Sequence, residues 1–333
     1  MPELTIRRVD HRDSEEMAQF QRVYAEAELA GDPDASLYSL HDTVAYLSST
    51  EAAWFYDGFA AYDGDQMVGE AMVTGARHDN QHVARIWVWV PPQHARRGHG
   101  TRLAAYAEEH ARSLGRTVAH ATAGLGTDLR HRHRRFAERL GYALANTEVE
   151  RRLPLPVDPG LLDRLEAETA SYHPEYAVRV TVGPVPGDLA PGYVALKNLM
   201  NTLAPTGDLE VEESRETLAG LAVQDAELIA AGRTRIGAFA VAPDAQVAGY
   251  AVSVVATDDH VDQWGTLVHP SHRGRRLGMA LKCAGLRAIA EQAPGKRFVT
   301  TTNAETNAPM VSINEALGFR LHRLRADFHK RLI

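Results

Sequence analysis

The chain has 333 residues, 44% hydrophobic and 24% charged, enough apolar surface for about two globular cores and unlike a disordered or collagenous chain. No apolar run nears the roughly 20 residues that span a bilayer, and Met1 to Asp10 carries charges where a signal peptide is apolar, so a soluble cytoplasmic protein is expected. A net charge of −7 argues against nucleic acid as the main partner and favours cationic ligands, and the one cysteine, Cys283, excludes an internal disulfide or a cysteine-ligated metal.

In chain order, Leu4 to Val9 is expected as a strand, and Ser14 to Leu29 and His41 to Ser49 as helices. Trp54 to Tyr62 and Met67 to Gly75 are strands closed by the hairpin turn Asp63-Gly64-Asp65. Then come strand Val83 to Val90, a helix from about Gly98 to Leu114, strand Thr117 to Ala123, a helix from about Leu129 to Leu140 and a strand near Asn146 to Leu153. The proline-rich stretch Leu153 to Gly160 reads as a linker, and Leu161 to Thr169 as a short connecting helix. The second half repeats the order: strand Ala177 to Val182, helices Pro191 to Leu203 and Glu213 to Ala231, strands Ile236 to Val241, Val247 to Val255 and His260 to Val268. A helix from about Arg275 to Gln292, strand Arg297 to Thr302, a helix from about Pro309 to Leu317 and a closing strand Leu321 to Leu332 follow.

The strand-to-helix junction occurs twice. Val90-x-Pro92-x-His94 leads into Arg96-Arg97-Gly98-His99-Gly100, and Val268-x-Pro270-x-His272 leads into Arg273-Gly274-Arg275-Arg276-Leu277-Gly278, at a constant offset of 178 residues. A turn rich in Gly and Arg there aims backbone N–H groups and a helix N-terminus at one point, which suits a pyrophosphate. Glu138-x-Leu140-Gly141-Tyr142 likewise matches Glu315-x-Leu317-Gly318-Phe319. The run Arg130-His131-Arg132-His133-Arg134-Arg135 is read as a solvated face, with a phosphate contact as the alternative; its histidines, two apart on a helix, do not form a metal pair.

Taken in order and twice, these elements resemble the GNAT superfamily of acyl-CoA-dependent N-acyltransferases. The resemblance implies an α/β (α+β) protein of two tandem domains, each a mixed, twisted sheet flanked by helices: residues 1–154, a linker at 155–175, and 176–333. It implies that the strand before each loop splays from its neighbour and that pantetheine pairs there. Leu267 and Val268 would meet pantetheine, Arg273, Gly274, Arg275, Arg276, Leu277, Gly278 and Met279 would cradle the pyrophosphate, and Asn307 would contact acetyl-CoA, with no metal required. Val90, Arg96, Arg97, Gly98, Gly100 and Thr101 form the matching seat of the first copy. Arg276 replaces a glycine and fits there with φ negative; Ala95 replaces the leading Arg or Gln of the first loop.

The family's catalytic positions map onto Asp262 as base and Asn314 where a proton-donating tyrosine is common. Strand alternation puts Asp262, Trp264, Thr266 and Val268 on one face, so Trp264 and Thr266 are expected to line the acceptor side. The first copy has Ala84, Ala137 and Ala95 at the equivalent positions. The resemblance therefore implies a catalytic second domain and a degenerate first one: an acetyl-CoA-dependent N-acetyltransferase acting on a primary amine of a small molecule by direct attack in a ternary complex. A non-catalytic acyl-CoA-binding sensor or interaction protein, a protein or peptide acetyltransferase, and an enzyme of the mycothiol synthase type, whose layout is similar, are the alternatives. A monomer or homodimer with no nucleic-acid or membrane partner is expected.

Overall fold

The structure, a computed structural model, describes residues 4–35, 37–49 and 54–332. Chain contacts divide it into two units: residues up to Thr147 with Thr206–Val211 and the segment from Arg323 on, and Glu148–Pro205 with Glu212–His322.

Unit 1 contains β1 (Thr5–Arg8), α1 (Ser14–Leu29), α2 (Leu40–Ser48), β2 (Trp54–Asp63), β3 (Gln66–Ala76), β4 (Val83–Trp89), α3 (His99–Ser113), β5 (Val118–Gly124), α4 (Arg132–Arg139) and the start of β6 (Ala143–Pro154). Local chemistry sets the ends of these elements. The Asp13 carboxylate accepts from the N–H groups of Glu15 and Glu16 to start α1, and Ser39 and Asp42 form a reciprocal capping box on α2. Gly64 turns the β2–β3 hairpin at φ +61°.

Unit 2 contains the rest of β6, then α5 (Pro159–Ala170), β7 (Ala177–Val182), α6 (Ala190–Leu203), α7 (Leu218–Ala230), β8 (Thr234–Val241), β9 (Val247–Val255), β10 (His260–Val268), α8 (Leu277–Gln292), β11 (Phe298–Ala304) and α9 (Ala308–Ala316). Helix α7 starts five residues later than its periodicity predicts. The Glu216 N–H donates to the Asn198 side chain at 2.8 Å, which holds the preceding segment against α6, and Thr217 then caps the helix.

The last strand, β12 (Arg320–Arg331), departs from a simple tandem arrangement. It begins in unit 2 but pairs antiparallel with β5, from Arg325 opposite Gly124 to Arg331 opposite Val118, and so completes the sheet of unit 1 in the order β1-β2-β3-β4-β5-β12. Reciprocally, Glu148 to Pro154 of β6 pairs with β11, and unit 2 has the order β6-β11-β10-β9-β8-β7. The two halves have exchanged their closing strands, so neither unit is a contiguous segment, and the division expected near residue 155 differs from the one observed. Strand periodicity specifies a buried face, not a partner, so it does not by itself choose between the two sheets.

In unit 1, one face of the sheet packs on α3 through Phe59, Val73, Ile86, Leu103, Ala107 and Phe328, and the other carries α1 and α2 on Met17, Phe20 and Leu47. In unit 2, α8 covers one face through Leu277, Leu281, Cys283 and Leu286, and α6 and α7 cover the other through Tyr193, Leu221, Tyr250 and Leu267.

Candidate active site

Each unit holds a pair of parallel strands that part company. Strand β4 pairs with β5 only from Val83 to Arg85, and β10 with β11 only from His260 to Asp262. Beyond these points Ile86 to Trp89 and Gln263 to Val268 stay hydrogen-bonded on their other side, to β3 and β9. One backbone edge of each is thus turned to a V-shaped opening, a template for an amide-bearing ligand that pairs as a strand.

At the mouth of each V, a short 3₁₀ turn (Pro92–His94, Pro270–His272) leads into the anion loop. The loops share a backbone conformation and differ in which residues adopt it. Arg96 and Gly98 lie at φ +61° and +85°, and their counterparts Gly274 and Arg276 at +81° and +54°. The expectation of a negative φ at Arg276 is therefore corrected: it is the left-handed N-cap of α8. An L-residue there costs about 1–2 kcal/mol, so each loop holds one arginine in a strained geometry to keep two left-handed positions flanking a residue that is not left-handed. That alternation turns successive N–H groups into a concave anion nest. Neither α3 nor α8 has a side-chain cap or an acidic residue in its first turn, which leaves both N-termini open to an anion. The residues present fit a pyrophosphate at either loop.

The last motif glycine has another task. A Cβ on Gly100 would come within 3.2 Å of the Phe136 ring, and one on Gly278 within 3.0 Å of Ile313, so each lets its helix approach the next, α4 or α9. The Leu-Gly-aromatic repeat is a Schellman C-cap in both units: Gly141 and Tyr142 donate to the carbonyls of Glu138 and Ala137, and Gly318 and Phe319 to those of Glu315 and Asn314.

The arginines of the two loops differ. Arg96 and Arg97 are exposed, with no hydrogen bond or ion pair among the described residues. Arg273 and Arg275 donate to loop carbonyls, Val268 at 3.3 Å and Ser271 at 3.2 Å, and Arg276 lies 5.6 Å from the ring centre of Tyr172. Val90 and Val268 are half-buried, Leu267, Leu277 and Met279 are buried, and Thr101 is exposed on α3. Asn307 is the N-cap of α9 by position, but its side chain makes no cap bond and is available to a ligand.

The strand expected to line the acceptor side departs from its predicted alternation. Strand β10 bulges at Trp264: Gln263 opposes Ser253, and Gly265 opposes Val252. The extra residue slips the alternation by one. Asp262 therefore shares the face of Gly265 and Leu267, toward α6, whereas Thr266 and Val268 share the α8 face with Gln263. Gln263 Nε2 donates to Thr266 Oγ1 at 3.4 Å, so Gln263, not Asp262, stands beside Thr266. Trp264 is exposed, 5.8 Å from the Arg235 guanidinium. The Asp262 carboxylate lies 3.3 Å from Nε2 of the buried His260, whose Nδ1 contacts Asp258. Burial alone would lower the imidazole's pKa, but the two carboxylates outweigh it and hold it at about 9. Asp262 is thus one arm of an Asp–imidazolium–Asp cluster.

Asn314 is also corrected. It is 0% exposed and both ends of its amide are spent: Oδ1 accepts from Lys282 Nζ at 2.6 Å, and Nδ2 donates to Asn303 Oδ1 at 3.0 Å. Lys282 was missed because one lysine in an amphipathic helix reads as solvent-facing. It is 2% exposed, with no carboxylate paired to it among the described residues, and burial pulls its ammonium down to about 7. Its equivalent in the first copy, by the 178-residue offset, is Ala104, which made the pair Lys282/Asn314 against Ala104/Ala137 the available signal.

Unit 1 has a titratable group the sequence reading passed over. Ala84 and Ala137 are core residues, but Glu70 of β3, opposite Trp89, is 1% exposed, and its Oε2 has no hydrogen-bond partner among the described residues. Burial, with Glu28 nearby, pushes it well above the usual carboxylate range. The Trp89 indole donates to Glu28 Oε1 at 2.7 Å, and the Tyr24 ring meets Trp89 edge-on at 5.3 Å. A lone acid in the apolar run Met67 to Ala76 was the visible sign.

Splayed strands, a nest at a helix N-terminus and a Schellman-capped helix, repeated in both units, define a tandem GNAT-type fold. The sequence profile of the GNAT acetyltransferase family matches residues 17–142. The structure is similar to a tandem GNAT protein from the clavulanic acid biosynthesis pathway, with a TM-score of 0.80 at 26% identity, covering 99% of each chain. A GCN5-related N-acetyltransferase from Sphaerobacter thermophilus (TM-score 0.65, 15% identity, 99% of this chain and 96% of that one) has the same fold. So has an acetyltransferase from Pyrococcus horikoshii (0.57, 12%, 98% and 89%). Among curated proteins no sequence matches this chain. Residues 17–142 thus match the GNAT acetyltransferase family, and the whole chain has the tandem GNAT fold. No helix among the described residues is long and apolar enough to cross a membrane.

Proposed function

We propose that the protein is an acetyl-CoA-dependent N-acetyltransferase acting on a primary amine of a small molecule, with direct transfer in a ternary complex in unit 2. The observation that carries this reading is the bulge at Trp264 on the splayed strand above a nested loop. A bulge leaves its extra residue outside the ladder, which frees a backbone N–H to face a carbonyl in the V. The β3–β4 pairing of unit 1 runs without a register shift. Bound acetyl-CoA would supply the activated acyl carbonyl. The loop from Arg273 to Met279 would hold its pyrophosphate, the free edge ending at Leu267 and Val268 its pantetheine, and Asn307 would add a polar contact. Asp262, beside the His260 ring, would attract the acceptor ammonium on the α6 side and take its proton.

A second reading has unit 1 also binding acyl-CoA: its arginines Arg96 and Arg97 are unengaged, and Glu70 offers a buried carboxyl on the α1 side. Calorimetric titration with acetyl-CoA separates the two. Gly98 and Gly274 both have positive φ and open space around a Cβ, so Gly98→Glu and Gly274→Glu place a carboxylate in each nest at matched strain. Loss of all binding in Gly274→Glu alone supports transfer in unit 2, and loss in Gly98→Glu alone refutes it. Asp262→Asn is expected to lower kcat/KM for amines by about 10²–10⁴ while acetyl-CoA binding persists. Binding without turnover of any amine would instead indicate a sensor.

A further inference from the structure

Lys282 is a buried ammonium that nothing in the reading above uses. A lysine without a carboxylate in an apolar interior is costly, and such sites are commonly functional. Nζ donates to Asn314 Oδ1 at 2.6 Å and lies 5.0 Å from the centre of the Phe319 ring. Asn314 donates to Asn303 Oδ1, which also accepts from Arg151 Nη1 at 3.4 Å, and Arg151 pairs with Glu305 at 2.9 Å. The charged groups on β6 and after β11 therefore meet each other, not Nζ, and along α8 the neighbours Leu281 and Cys283 are buried and apolar.

Position gives the string its meaning. Asn303 lies on the stretch of β11 beyond Thr300, where β10 has already left it, and its side chain is on the α8 side of that strand, the side of Val299. The string thus runs beneath the V of unit 2, from the second turn of the helix that follows the anion loop. Unit 1 has Ala104 and Ala137 in place of the lysine and the asparagine.

We propose that Lys282, held by Asn314, is the proton donor to the sulfur of the departing CoA in unit 2. This inference rests on unit 2 as the acyl-CoA site. As the C–S bond breaks, its electron pair goes to sulfur and one Nζ proton follows it, leaving a neutral amine. The proton shed by the attacking amine nitrogen passes by way of Asp262 to solvent, and Lys282 is reprotonated from solvent. An ammonium whose pKa burial has lowered to about 7 gives up a proton readily at neutral pH.

The test needs no turnover. CoA is bound to the Gly98→Glu protein, so that only unit 2 is loaded, and its thiolate absorbance is titrated against pH, with acetyl-CoA binding followed by calorimetry. An ammonium beside the sulfur lowers the bound thiol's pKa by about one unit or more, a tenfold change in ionisation. Lys282→Met is expected to return the thiol to its free value while acetyl-CoA still binds. Lys282→Ala with Asn314→Ala, which copies the pair unit 1 carries, serves if Lys282→Met misfolds and is expected to do the same. A bound thiol that titrates as in free solution, or a shift that survives both variants, overturns the proposal alone. Failure of acetyl-CoA to bind unit 2 in any form overturns the proposed site as well.

Discussion

Truncating one side chain of β12 should unlock unit 1. Phe328 on β12 is 0% exposed and packs in the unit 1 core with Leu103, Ala107, Leu125 and Ala326. Beside it, Lys330 donates to both oxygens of the buried Glu108 at 2.9 and 2.7 Å, and Asp327 accepts from Thr122 at 2.8 Å. Phe328→Ala removes a fully buried ring, which costs about 3–5 kcal/mol. Amides in unit 1 that exchange only on opening of the whole unit should then exchange about 10²- to over 10³-fold faster, at 1.4 kcal/mol per factor of ten. Hydrogen exchange read peptide by peptide separates the units, with β3, α3 and β5 reporting on unit 1, and α8 and β9 on unit 2. Faster exchange confined to unit 1 is expected. If α8 and β9 accelerate while α3 and β5 keep their protection, the strand exchange argued from the β5–β12 pairing is wrong.

Two further predictions concern buried titratable groups. His260 has its pKa raised to about 9, so the stabilisation it gives is fully present below its unfolded pKa near 6.5 and is lost as pH rises through about 9. The stability difference between wild type and His260→Gln, from urea titrations, should therefore fall between pH 6.5 and 9, by on the order of 3 kcal/mol; a flat difference would mean the imidazole is neutral in the folded protein. Glu70 is raised by burial, so wild type loses stability as pH climbs above the ordinary carboxylate range. Glu70→Gln should stabilise unit 1 at neutral pH, and a destabilised variant would show that the carboxyl has a partner.

The duplicated order of strands and helices, both strand-to-helix turns and both Leu-Gly-aromatic caps were legible because backbone rules write them: glycine at turns and C-caps, proline at turn starts and period-two or period-3.6 patterns, though the left-handed Arg96 and Arg276 were not. Partner choice was not legible. The alternation of the strands at 143–154 and 320–331 does not by itself choose between the two sheets, and only the assembled fold shows that they trade places. Nor was the facing of Asp262, because a bulge is one uncounted residue and Trp264 looks like any other strand tryptophan until its neighbours' partners are known. The roles of Lys282 and Asn314 were hidden for a related reason: a polar residue's burial depends on what the neighbouring helix brings to it, which sequence periodicity does not encode.

The strained arginines give the sharpest link between fold and function. Arg96 sits at φ +61° with no partner among the described residues, and glycine adopts that conformation without a side-chain clash. Relief of the left-handed strain, about 1–2 kcal/mol, less the roughly 0.5–1 kcal/mol that glycine loses in chain entropy, predicts that Arg96→Gly is neutral or stabilises unit 1 by up to about 1.5 kcal/mol. If the arginine is kept because its guanidinium meets a phosphate, the same change should weaken acyl-CoA binding to unit 1 by about ten- to a hundredfold, the worth of a charged hydrogen bond of about 1.5–3 kcal/mol. Thermal unfolding and calorimetry on the one variant read both sides of that trade. A protein that gains stability and loses affinity has a working anion seat in its first loop. One that gains stability with unchanged stoichiometry and affinity has kept the nest's shape there without its use, and acyl-CoA then belongs to unit 2 alone.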